Sequence, residues 1–300
     1  QSFTITVANV NTAPEVTSKA ITNATEDTAY SYTFAASDVD SGDTPTLAAS
    51  TKPSWLSFDA STGVLSGTPD NAEVGDHAVV LTATDGNGEI GTQSFKITVT
   101  NTNDAPTVAN AISDQTIAED SALSFQFASD VFSDVDAGDS LTYTATLSDG
   151  STLPSWLSFD ASSRTFSGTP SNGDVGAIDV KVTATDGSSA TGSDTFNITV
   201  TNTNDAPTVA NVIADQTIAE DSALSFQFAS NVFADVDVGD SVTYTATLSD
   251  GSALPSWLAF NVATRTFSGT PLNANVGVIA VKVTARDSGS AAITDTFNIT

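Results

Sequence analysis

The chain has 300 residues, with 36 acidic side chains against 8 basic ones and a net charge of −28. That balance argues against nucleic acid and anionic membrane surfaces as partners, since both need clustered Lys and Arg. No cysteine is present, so disulfides and thiolate metal sites are excluded; 39% hydrophobic residues and 16 Phe still allow packed cores. No apolar run approaches the ~18 residues that would cross a bilayer.

In chain order, QSFTITVAN (1–9) alternates in polarity and matches QSFKITVTN (93–101), the end of a repeat. Residues 1–8 are therefore predicted as the last strand of an upstream module, with Phe3, Ile5 and Val7 lacking a core of their own. NTNDAPTVAN occurs at 101–110 and again at 202–211, a period of 101 residues. PSWLSFD (53–59), PSWLSFD (154–160) and PSWLAFN (255–261) keep that offset, as does SGTP at 66–69, 167–170 and 268–271. Whole domains in tandem fit this period better than a solenoid does. The expected boundaries are 9–100, 101–201 and 202–300. The third copy stops two residues before the point where the second finishes with Val200 and Thr201, so the chain reads as a piece of a longer array.

The second copy shows the elements most clearly. ALSFQFA (122–128) alternates Leu123, Phe125 and Phe127 against Ser124 and Gln126, the period of a strand with one buried face. LTYTATL (141–147) repeats the habit, SDGS (148–151) turns, and SWLSF (155–159) with RTFSG (164–168) forms a hairpin. IDVKVTAT (178–185) and DTFNITV (194–200) are the last two strands, and a weaker strand precedes Glu119. About seven short strands with frequent turns predict an all-β fold: tandem immunoglobulin-like, seven-stranded Greek-key β-sandwiches arranged as a rod. Trp55, Trp156 and Trp257 are expected in the cores, and His77 in a surface turn.

Strand parity decides which loops share an end. The linker at 101–106 enters at the top, the first strand runs down, and Glu119 and Asp120 fall in a bottom turn. DVDAGD (134–139) and ATDG (184–187) return to the top. Each joint thus sets the bottom acids of one repeat against the top acids of the next. The copies act as an internal control. Asn231, Asn261, Asn275 and Ala280 stand where the second copy has Asp130, Asp160, Asp174 and Asp179, yet Asp235, Asp237, Asp240, Asp287 and Glu220 persist in the third copy. Asp38, Asp40, Asp43, Asp85 and Glu26 persist in the first. Such a concentration of carboxylates favours a hard cation with irregular oxygen coordination, calcium before magnesium.

The combination D-x-D-x-G-D, L-T-Y, L-P-S-W-L-x-F-D, S-G-T-P, V-T-A-T-D-G and N-x-N-D-A-P resembles the dystroglycan-type cadherin-like and putative-Ig tandem repeats of bacterial calcium-dependent surface adhesins, including the RTX type. The resemblance implies calcium between modules. It implies ligands at Asn101, Asn103, Asp104, Asp134, Asp136 and Asp186, with Glu119 serving the next joint. Carried to the other copies, the set is Glu26, Asp38, Asp40 and Asp85, then Asn202, Asn204, Asp205, Asp235, Asp237 and Asp287. Two departures stand out: NTNDA replaces the usual Asp-x-Asn-Asp-Asn linker, and GTPDN, GTPSN and GTPLN (67–71, 168–172, 269–273) replace an Asp-Arg-Glu loop. The first linker also has Thr12 in place of Asp.

The expected function is a non-enzymatic, calcium-rigidified extender or adhesion module of an extracellular or bacterial cell-surface protein, with a role in cell adhesion and biofilm. Its expected partners are calcium ions, neighbouring repeats of the same chain and surface glycans or other cells, with no nucleic acid and no membrane insertion. The alternative is a carbohydrate-binding cadherin-like module, which would need exposed aromatics on one face. Catalysis is disfavoured by one His, no Cys and no acid, base and nucleophile set unique to one copy.

Overall fold

The computed structural model describes residues 1–8 and 10–300; Asn9, where the first repeat and its linker are expected to open, lies outside the described residues. The chain divides into two compact units: residues 1–111, 128–144 and 182–194, and residues 112–127, 145–181 and 195–300. The division falls within Thr142–Leu147, Gly176–Thr185 and Thr191–Thr201 of the second repeat.

In the first unit, a four-stranded sheet runs in the order Asn23–Thr25, Ile90–Thr100, Gly75–Thr84, Thr46–Thr51. A three-stranded sheet, Tyr30–Thr33, Val64–Gly67 and Leu56–Asp59, supplies the other face. Their inward residues form one core, including Tyr32, Phe34, Leu56, Leu65, Leu81 and Ile97. Alternation does the sorting: Val79, Leu81 and Ala83 are fully buried while the residues between them are half-buried. Residues 1–8 form no strand, and Phe3, Ile5 and Val7 are exposed.

The second unit repeats the scheme. Leu224–Gln227, Thr266–Gly269 and Leu258–Asn261 face Thr243–Leu248, Ile279–Arg286 and Ala292–Ile299, around Phe228, Phe267, Val281, Val283 and Phe297. It also holds Leu123–Gln126, Thr165–Gly168 and Leu157–Asp160 of the second repeat, in which Phe159 and Phe166 lie 4.6 Å apart. The SGTP glycines have a steric reason. A Cβ on Gly67, Gly168 or Gly269 would run into the carbonyl oxygen of Trp55, Trp156 or Trp257.

The fold is all-β and sandwich-like as expected, with three differences in detail. The first strand of each repeat is split. Glu15–Val16 pairs antiparallel with Ala36–Ser37, whereas Asn23–Thr25 pairs parallel with the last strand. The same split gives Thr107–Val108 and Gln115–Ala118. The three tryptophans are half-buried, and Trp55 and Trp257 pack against their cores. His77 is not in a turn. It lies within Gly75–Thr84, its ring edge-on to Trp55 and 2.5 Å from the Glu73 carbonyl oxygen. The strand alternates through His77, so its ring is turned inward toward Trp55.

Candidate metal centres

The parallel pairing of the first and last strands positions the bottom acids. Because Asn23–Thr25 runs beside residues 98–100, Glu26 donates its backbone N–H to the Thr100 carbonyl and sits where the chain leaves the repeat. Glu119 does the same at Thr201. The following residues, Asp27 and Asp120, take left-handed φ of 56° and donate N–H to Pro69 and Pro170, which ties the GTP loop to the acidic turn.

The side chains then converge. Glu26 Oε1 accepts the Thr102 N–H at 2.8 Å, and Asp136 Oδ2 accepts the Asp104 N–H at 2.8 Å. Asp136 Oδ1 accepts from Asn71 Nδ2 at 2.9 Å. Each bond recurs one period on: Thr203 to Glu119 at 2.8 Å, Asp205 to Asp237 at 2.8 Å, Asn172 to Asp237 at 3.1 Å. Carboxylate oxygens of Glu26, Asp104 and Asp136 lie within 4.8 Å of one another, as do those of Glu119, Asp205 and Asp237.

A second type of cluster lies inside each repeat: Asp38, Asp43 and Asp85; Asp134, Asp139 and Asp186; Asp235, Asp240 and Asp287, each set again within 4.8 Å. Backbone donors of the turn hold the last member. Asp186 Oδ1 accepts from Ser188 and Ala190 at 2.9 and 2.8 Å, and its Oδ2 accepts from Asn103 Nδ2 at 2.8 Å. Asn11 reaches Asp85 at 2.9 Å and Asn204 reaches Asp287 at 3.0 Å. Asp40 accepts the Thr12 N–H at 2.8 Å, so the first linker keeps this backbone contact without an Asp in it.

The donor set suits a hard cation. Glu26 and Glu119 are each 1% exposed, yet Oε2 of both is buried with no hydrogen-bond partner. Oδ2 of Asp38, Asp134, Asp235 and Asp240 is in the same condition. Among the described residues the ion pair found is Lys96 with Asp76, both exposed and away from these clusters. Buried unpaired carboxylate oxygens are costly, and all-oxygen ligation is the preference of calcium and magnesium. The electrostatics agree. Local desolvation, then the charges of Asp134 and Asp186, raises the Asp139 carboxyl above its ordinary value. Burial, then Asp237 and Glu119, does the same to Asp205. Asp186 moves the other way, chiefly because Asn103 donates to it.

Most of the residues expected at the joints are thus accounted for in these clusters or their hydrogen bonds. Asn101 and Asn202 are exposed. Asp43, Asp139 and Asp240 complete the intra-repeat clusters but were not among the expected ligands. The sequence signal for them was present, as the third acid of D-x-D-x-G-D in every copy.

The Putative Ig domain family model matches residues 13–100, 105–201 and 206–300. Over 145 residues, 48% of this chain, the sequence is 34% identical to the serine-rich adhesin for platelets of Staphylococcus aureus strain USA300. The chain spans 6% of that protein's length, and 10% of its counterpart from strain MRSA252. Among solved structures, the protocadherin GammaB4 extracellular domain aligns with a TM-score of 0.62 at 20% identity, over 98% of this chain and 50% of that one. Mouse cadherin-23 EC22-24 aligns with a TM-score of 0.60 at 17% identity, over 97% of this chain and 98% of that one. At these identities the likeness establishes a shared cadherin-like fold. With three matched segments that together cover nearly its whole length, the chain belongs to the Putative Ig domain family, carried as tandem repeats.

Proposed function

We propose that this chain is a non-enzymatic extender and adhesion module of an extracellular, cell-surface protein, stiffened by calcium at its joints. The repeats are taken as 9–100, 101–201 and 202–300. The observation that carries the reading is the seam cluster. A glutamate of one repeat meets two aspartates of the next, with a buried carboxylate oxygen lacking any partner and, among the described residues, no basic side chain paired with the cluster.

Residues Glu26, Asp104 and Asp136 would hold one cation, and Glu119, Asp205 and Asp237 another. The aspartate trios within the repeats would hold further ions, with the neighbouring linker Asn side chains as supporting groups. Calcium supplies charge neutralisation and a common anchor for oxygens from both sides of a joint. Without it, two carboxylates ~4 Å apart repel by roughly 4 kcal/mol at an effective dielectric of about 20. An affinity in the extracellular range of ~10⁻⁴–10⁻³ M fits this ligand number. The similarity to a staphylococcal adhesin supports a place at a bacterial surface, where such modules would space or present a binding region. Near-identical copies in tandem suit reach and avidity.

Calorimetric titration with calcium, together with small-angle scattering and melting curves with and without EDTA, tests the proposal. Heat of binding, a stiffer scattering profile and a higher melting temperature in calcium are expected. Superimposable profiles and melts in the two conditions would overturn it.

A further inference from the structure

The GTP loops carry an asparagine that reaches the seam through its side-chain amide. Asn71 and Asn172 each donate Nδ2–H to the aspartate 65 residues on, Asp136 and Asp237. The loops are held by different local chemistry. In the first, Asp70 Oδ1 accepts the Ala72 N–H at 2.9 Å; in the second, Asp174 Oδ2 accepts both the N–H and the hydroxyl of Ser171. Two unrelated caps thus deliver the same amide to the same place. A carboxylate there would be a fourth acid in the cluster. The amide instead occupies one oxygen of an aspartate whose other oxygen already accepts a backbone N–H.

We propose that Asn71 and Asn172 are positioning residues that latch consecutive repeats together without a divalent cation, each by donating its amide N–H to the aspartate shared across the seam. The proposal rests on the seam assignment above but not on calcium occupying it. Its consequence is that removing the metal loosens a joint that remains docked.

Since the chain has no cysteine, Ser94→Cys and Thr191→Cys place a single nitroxide pair on exposed positions flanking the first seam. Pulsed electron–electron resonance in EDTA should give one narrow distance distribution. Asn71→Ala should at least double its width. Asn71→Asp, nearly isosteric but without the donor, should broaden it further and be narrowed again by calcium. Asn172→Ala in the same labelled chain should leave the first seam unchanged, which separates a local latch from general loosening. A distribution as broad in the parent as in Asn71→Ala, or as narrow in Asn71→Asp as in the parent, would overturn the latch. Should calcium alter none of these distributions while Asn71→Ala still broadens, the calcium reading fails and the latch stands. If the alanine variant does not fold, the Asn71→Asp comparison decides alone.

Discussion

The two oxygens of Glu119 have opposite fates: one accepts the Thr203 N–H, while the other is buried without a partner beside Asp205 and Asp237. Replacing Glu119 by Gln keeps the first bond and puts an N–H donor where the orphan oxygen lies. Calcium affinity at the second seam should then fall about tenfold or more, equivalent to ~1.4 kcal/mol, while the metal-free melting temperature rises. Titration calorimetry and melting in EDTA measure the two effects. Asp160→Asn serves as control for the affinity alone, because Asp160 is exposed and belongs to none of the clusters. The pH response separates the two kinds of acid. Asp139 and Asp205 have folded pKa values raised above the ordinary 3.8. A raised carboxyl favours the folded state below its unfolded value, and that advantage is lost as pH rises through the folded value. Hydroxyl donors on Ser162 and Ser163 pull Asp160 down to about 2, so its contribution is present above 3.8 and lost as pH falls through about 2. Melting in EDTA should therefore pass through a maximum in mild acid and decline toward neutrality. Millimolar calcium should remove the neutral-side decline, because the ionised clusters then have a counter-ion.

Elements were legible where alternation was strict. Leu123, Phe125 and Phe127 announce a strand, and Leu123–Gln126 is one. The split of the first strand was not legible, because its two short pieces carry few apolar positions and their pairing partners lie far along the chain. The candidate sites were legible through parity, which assigns acids to an end of a sandwich without any knowledge of side-chain direction. It gave no donor role to Asn71 and Asn172, whose placement depends on a turn fixed by hydrogen bonds to the Pro69 and Pro170 carbonyls and by local caps. Nor did it show that Asp139 closes a cluster with Asp134 and Asp186, since three loop carboxylates at one end need not meet. The GTP loop invites an element-scale test. Gly168→Ala drives a methyl into the Trp156 carbonyl, and should destabilise by about 2 kcal/mol or more, read from urea unfolding. Phe166→Ala, at a fully buried core position, should cost ~3–5 kcal/mol by cavity formation.

At the scale of the whole molecule, a net charge of −28 opposes compaction by self-repulsion. Monovalent salt should therefore stabilise the metal-free chain by screening. Calcium should do more than sodium chloride at equal ionic strength, because the clusters need ligation as well as screening, and magnesium should fall between them because it gives up its waters reluctantly. Melting curves across the three salts order these effects, and equal curves for calcium and sodium would contradict site-specific binding.

The parallel alignment of Asn23–Thr25 with residues 98–100, and of Gln115–Ala118 with residues 198–201, bears on how such a chain carries load. Tension on the two termini of a repeat pulls its opening and closing segments past each other along their length. The bonds between them are then strained together in shear and cannot open one by one like a zipper. Rupture of a repeat would then require the several bonds of that pairing to fail together.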